Sequence, residues 1–229
     1  SQSATPTPFQ PVLWTVEPGV QQPDTLDSDN QVLPMAQLPH QQSPFSLYID
    51  PRLPDSFREQ IEIPPNLPVS EEPEGASLHI SVGDAYPVSH WTYALVAPFP
   101  TVMDDVTGKD LRAAWKGKSD GDFGGIPLMM DEATLGVLSA YWGPPAEGAV
   151  KARSSEKLLK AAWDQRPSWA IVPFENLHPQ WKVIAIDGIS PIRKDFDPSD
   201  YELNIPVSMT GVAPELPQLS ANNRDPDKL

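Results

Sequence analysis

The sequence predicts an α/β domain with Pro-rich ends, and three observations carry that prediction. Short apolar runs that read as strands alternate with three amphipathic segments. Each amphipathic segment opens behind a residue that can cap a helix, and each stops at a glycine or a proline. Alternation of this kind points to helices layered on a sheet.

The elements follow in order along the chain. "FSLYID" (45–50) alternates like a strand, and "LPDSFREQI" after it predicts a short helix with Leu53, Phe57 and Ile61 on one face. "ASLHISV" and "TYALVAPF" are further strands. Thr107 then caps "GKDLRAAWKG", in which Leu111, Ala114 and Trp115 follow helical spacing and Gly117 sits where a C-terminal cap belongs. Asp131 precedes "EATLGVLSAYWG", with Leu135, Leu138 and Trp142 on one stripe and Gly143 behind it. Ser154 precedes "SEKLLKAAWDQRP", with Leu158, Leu159, Ala162 and Trp163 apolar and Pro167 as the stop. Strands "IPLMM", "GAVKA" and "WAIVPF" separate or follow these helices. The "AAW" shared by the first and third helices has no fixed period and reads as two aromatic anchors. Two strands share an oddity: "YALVAPFPTV" and "WAIVPFENL" each drive an apolar run into Pro-Phe.

Composition bounds the rest. The chain has 229 residues, 39% of them hydrophobic, and 29 prolines, so part of it is not expected to pack. Residues 1–44 hold eight prolines, eight glutamines and no lysine or arginine, which predicts a tether that is ordered in part, with Trp14 free to dock. Residues 211–229 are again Pro-rich and polar and read as a linker. A formal charge of −15 argues against nucleic acid and anionic membranes as partners. The absence of cysteine removes disulfides, thiolate metal sites and a cysteine nucleophile. No apolar run nears the roughly 20 residues of a membrane span. The opening "SQSATPTPFQP" is not a signal peptide and reads as the start of a mature or trimmed chain from which any targeting segment has been removed.

Little in the sequence compels an enzyme. A metal site is not expected, because Glu175 and His178 at i, i+3 and the pair His79 and His90 lack a ligand motif. No cofactor is indicated. Asp104-Asp105 and Asp131-Glu132 are paired carboxylates, yet both stand at or just before helix starts, where capping explains them. "GDFGG" (121–125) lacks the spacing of a phosphate-cradling loop and reads as a surface turn. Helix starts beyond strand ends suggest a binding cleft instead.

The succession "YALVAPFPTVMDDVTGKDLRAAWKG", "IPLMMDEATLGVLSAYWG" and "WAIVPFENLHPQWKVIAIDG" resembles the type II periplasmic substrate-binding proteins. That resemblance implies a compact two-lobed α/β fold, with residues 45–98 and 182–210 in one lobe and 99–178 in the other. The Pro-Phe strands would run side by side where the chain crosses between lobes, Ala170–Val172 in the second lobe and Val183–Ile186 in the first. The segment from Pro167 to Gly211, followed by "NNRDPDKL", resembles the region ahead of the catalytic domain of bacterial CapA-type proteins of poly-gamma-glutamate capsule biosynthesis. It implies a non-catalytic, extracytoplasmic module of the cell surface or periplasm, with lipid anchoring as one form of tether. A metallophosphatase-like partner domain would follow this chain.

On these expectations a small polar ligand lies between the lobes. Thr101, Asp131, Thr134, Ser154 and Glu175 supply polar groups, and Phe99, Phe174 and Trp91 form apolar walls. Proline 173 is expected to end its strand because it cannot donate to the ladder. The acidic surface favours a neutral, cationic or amino-acid-like ligand. Two readings compete with this one: a ligand-free scaffold that positions a neighbouring domain or partner protein, and a hydrolase using Glu175 and His178.

Overall fold

One strand of twelve residues organises the molecule, because two half-sheets share it. A computed structural model describes residues 44–118, 121–219 and 223–225; the tether read at 1–44 lies outside the described residues except for Pro44. The first elements are β1 (Leu47–Ile49), α1 (Asp55–Arg58), β2 (Ile61–Glu62), β3 (Val69–Ser70) and β4 (Leu78–Val82). The long strand β5 spans Pro87–Pro98, and β6 (Asp105–Val106) and α2 (Gly108–Trp115) follow it. Next come β7 (Leu128–Met130), α3 (Glu132–Trp142), β8 (Val150–Ala152), α4 (Ser155–Asp164) and β9 (Trp169–Pro173). The chain closes with β10 (Trp181–Val183), β11 (Ala185–Ile186), β12 (Asn204–Gly211) and β13 (Gln218–Leu219).

The first half-sheet runs β3-β1-β4-β12 and ends on the first part of β5, where Asn204 lies opposite Thr92. The second half continues through β9, β7 and β8. Its join is antiparallel: Tyr93 faces Pro173 and Val96 faces Ala170. The two Pro-Phe strands therefore are neighbours, as the resemblance required. The half-sheets change over at Thr92–Tyr93, inside β5, where pairing with β12 gives way to pairing with β9. Strand β10 pairs with the far end of β5, Trp181 opposite Pro98. The apolar run expected as one strand over Val183–Ile186 is thus split. Ile184 still donates its N–H to the Leu95 carbonyl, after which β11 leaves to pair with β6.

Alternation along β5 distributes two cores. Trp91, Tyr93, Leu95 and Ala97 pack with Leu111 and Trp115 of α2 and Val137 and Leu138 of α3, and also with Leu47, Phe57 and Leu78 of the first half. Ala94 and Val96 face the other way, against Leu158 and Ala162 of α4. A strand covered on both faces reads as the continuous apolar run seen from Tyr93 to Ala97. Burying a side chain such as Leu95 contributes roughly 1.5–3 kcal/mol.

The predicted caps form, with two departures. Thr107 Oγ1 accepts from the Asp110 N–H, and Gly117 at φ +74° takes the left-handed turn after α2. Asp131 caps α3, with Gly143 after it at φ +80°. Ser154 precedes α4 in extended conformation, but its side chain makes no cap bond. Asp104 and Asp105 cap no helix: Asp104 pairs with Lys182, and Asp105 accepts from the Gly188 N–H. The second carboxylate at the start of α2 comes from Asp187, which accepts the Gly108 N–H at 3.1 Å. The "GDFGG" turn is more than surface, since Phe123 is buried edge-on against Trp169 at 5.3 Å. Of the two "AAW" tryptophans, Trp115 is buried against Trp142 and donates to the Gly143 carbonyl. Trp163 stays half-buried beneath Arg166.

Candidate ligand-binding site

Strands β7, β8 and β9 are parallel, so their carboxyl ends share one edge of the second half-sheet. The following residues at that edge are Asp131, Ser154 and the 3-10 turn Phe174–Asn176. A single carboxylate ties two of these connections together. Asp131 Oδ1 accepts the Thr134 N–H at 2.8 Å, and Oδ2 accepts the Ser155 hydroxyl at 2.7 Å. An anion between the positive ends of α3 and α4 is the arrangement that two helix dipoles favour.

On the α4 side of this edge lies a cavity of about 330 Å³. Asp131, Ser155, Glu156 and His178 give it polar groups, and Leu158, Leu159 and Trp181 give it apolar ones. Among the described residues, no lysine or arginine lines it. His178 Nδ1 accepts the Gln180 N–H, so the neutral ring carries its proton on Nε2. The cavity can therefore offer carboxylate acceptors to a donor-bearing head group and an aliphatic and aromatic wall to its body.

The opposite face of the same edge meets the first half-sheet. Here Trp91 Nε1, Tyr93 Oη and Thr134 Oγ1 are buried and have no hydrogen-bond partner among the described residues. Burial pushes the Tyr93 phenol well above its ordinary pKa, and the charges of Glu175 and Asp131 raise it further. Glu175 is exposed yet engaged: Oε1 accepts from Ser56 Oγ at 3.0 Å, and Oε2 accepts from Asn223 Nδ2. Asn223 also accepts the Thr92 N–H at 2.9 Å and donates to the Thr92 carbonyl at 2.8 Å.

The eight expected site residues divide into three groups. Asp131, Thr134, Ser154 and Glu175 do gather at one edge, although Thr134 is buried and Ser154 points its side chain into no cap. Phe174 and Trp91 are each 1% exposed and fill the core, with Trp91 edge-on to Phe57 at 5.4 Å, so neither walls an open cleft. Phe99 and Thr101 are elsewhere. Because β5 and β9 are antiparallel, the residue after Pro98 lies at the opposite end of the ladder from Phe174. Seven residues of strand separate Phe99 from Thr92, about 23 Å. Phe99 is 67% exposed, and its loop is held by Lys182, whose Nζ donates to the Thr101 carbonyl at 2.7 Å.

Ser56, Tyr93, Ser155 and Asn223 were missed. Tyr93 looks in sequence like any apolar strand residue, and Asn223 sits in a stretch that reads as linker. The expected linker itself contributes β13, paired with β2, and this buried asparagine. Glu175 and His178, the hydrolase pair, face different sides of the turn, one toward Ser56 and the other into the α4 cavity. Proline 173 does not end its ladder by lacking a donor. Tyr93 sends its N–H to the Leu203 carbonyl on the other side, so the Tyr93–Pro173 position asks for no bond from proline. The ladder ends because Phe174 turns into the 3-10 conformation.

No family model matches the sequence, and no curated protein matches it. Among solved structures, an ABC-type phosphate transport receptor from Vibrio cholerae aligns with 59% of this chain and 66% of its own, at 10% identity and TM-score 0.45. A putative phosphate ABC transporter substrate-binding protein with bound phosphate from Clostridium perfringens aligns over 71% and 84%, at 12% identity and TM-score 0.42. PstS from Borrelia burgdorferi aligns over 72% and 85%, at 10% identity and TM-score 0.46. These are distant likenesses. Among the described residues, no helix is long and apolar enough to cross a membrane.

Proposed function

We infer that the chain is a non-catalytic, extracytoplasmic ligand-binding module with a compact two-lobed architecture. The observation that carries this is the cavity beyond β7, β8 and β9, with the Asp131 carboxylate set between the starts of two helices and apolar walls beside it. Its chemistry suits a small ligand with an amine or hydroxyl-rich head and an aliphatic body. Phosphate, named for the Clostridium perfringens protein, would meet Asp131 and Glu156 there with no lysine or arginine among the described lining residues. A place in a capsule-biosynthesis protein, ahead of a CapA-type domain, is the finer reading and rests on the sequence resemblance alone.

A thermal-shift panel of amino acids, short glutamyl peptides, sugars and phosphate tests this. A ligand at 100 times its Kd adds about 2.7 kcal/mol of stability. Asp131→Asn keeps a good capping residue while removing the charge, so it is expected to abolish the shift from a cationic ligand with little loss of stability. The competing reading, a ligand-free scaffold, draws support from the way Phe57, Trp91 and Phe174 fill the junction between the half-sheets. Absence of a shift with every compound class decides for it.

A further inference from the structure

The ladder between β5 and β9 stops at the Tyr93–Pro173 pair, one residue short of Thr92. Thr92 follows the alternation of Ala94 and Val96, so its N–H and C=O face the β9 side, where Phe174 has already turned away. A strand backbone would normally fill that position. Instead the side chain of Asn223 does so, from 131 residues further along the chain.

Three bonds engage its carboxamide and use both amide hydrogens. The oxygen accepts from Thr92 N–H, one amide hydrogen goes to the Thr92 carbonyl, and the other goes to Glu175 Oε2. Glu175 is held for this by Ser56, whose hydroxyl donates to its other oxygen. The group is 8% exposed, in a terminal segment whose next residue, Arg224, is only partly covered. A primary amide matches this pattern of one donor and two acceptors. A carboxylate does not: it would turn an oxygen toward the Thr92 carbonyl and set a second negative charge against Glu175.

We propose that the Thr92 backbone, Glu175 and Ser56 form a primary-carboxamide site at the junction of the half-sheets, occupied from within by Asn223 and open to a carboxamide-bearing ligand when that residue withdraws. The proposal rests on the reading of the chain as a binding module and names a second ligand chemistry for it. An occupant tethered in this way has an effective concentration of about millimolar, which is what a free amide must exceed.

The test uses the full chain and N-acetyl-asparagine N-methylamide as probe, with the aspartate counterpart as control. In Asn223→Ala, exchange of the Thr92 amide hydrogen is expected to be at least ten-fold faster than in the wild type. The asparagine probe should restore protection saturably and the aspartate control should not. Adding Glu175→Ala should weaken the probe at least ten-fold. If the substitution unfolds the chain, the wild type supplies the readout: the probe should drive the Asn223 side-chain amide protons toward solvent exchange. Thr92 protection that ignores the probe, equal effects of probe and control, or Asn223 protons unmoved by the probe would each overturn the proposal. A ligand that depends on Asp131 while Thr92 exchange stays unchanged sinks this site and leaves the module reading standing. No ligand at either place sinks both.

Discussion

Pro98-Phe99 and Pro173-Phe174 are the same dipeptide at the end of two neighbouring strands, and they do opposite things. Phe174 is 1% exposed and packs into the core, whereas Phe99 is 67% exposed. The antiparallel pairing of β5 and β9 explains the difference. It carries the end of β9 to the middle of β5, where α1, the start of α3 and the terminal segment converge. It leaves the end of β5 at the far edge, covered on one side by β10 alone. A local motif has no fixed burial; the register of its strand decides what stands opposite.

Several substitutions break or sharpen that contrast. The largest effect is expected from Phe174→Ala, about 3–5 kcal/mol by loss of transfer energy and formation of a cavity. Phe99→Ala should stay within about 0.5 kcal/mol. Urea denaturation of both variants checks the pair, and equal losses would erase the distinction.

High pH probes the buried end next. Burial holds the Tyr93 and Tyr201 phenols neutral well above their ordinary pKa. Above pH 10 the unfolded chain sheds protons that the folded chain retains, so stability present below that pH falls as pH rises. Each tyrosine contributes a slope of up to about 1.4 kcal/mol per pH unit. Tyr93→Phe should flatten the decline by one such step, which stability measurements between pH 9 and 11 resolve.

Asp131→Ala, beside the same junction, removes both the α3 cap and the link to Ser155. A loss of about 1–2 kcal/mol is expected, together with faster hydrogen exchange at the Thr134 N–H. The smallest change should come at the exposed end. Lys182→Ala frees the Thr101 carbonyl and the Asp104 carboxylate, the latter largely in water. It should cost less than about 1 kcal/mol and loosen only residues 99–104 in an exchange experiment.

Much of the architecture was legible because its signals are local. Thr107 and Asp131 accept bonds from residues three positions on, Gly117 and Gly143 supply the left-handed turns that other residues resist, and the apolar run Tyr93 to Ala97 reads as a strand. The adjacency of the two Pro-Phe strands was legible too, through resemblance. Of the candidate site residues, Asp131, Thr134, Ser154 and Glu175 follow strands that end on one edge, whereas Phe99 and Thr101 follow one that ends elsewhere.

What the sequence determined by itself, then, is the alternation of elements, their caps, the acidic charge and the apolar faces, since each depends on neighbours within about four residues. Tertiary structure alone decided which strand end meets which. It put Phe174 inside and Phe99 outside, joined Ser155 to Asp131, and brought Asn223 to Thr92 across 131 residues. The reason is physical: a hydrogen bond or a buried face between distant segments is set by sheet register and chain path, and no spacing in the sequence records either.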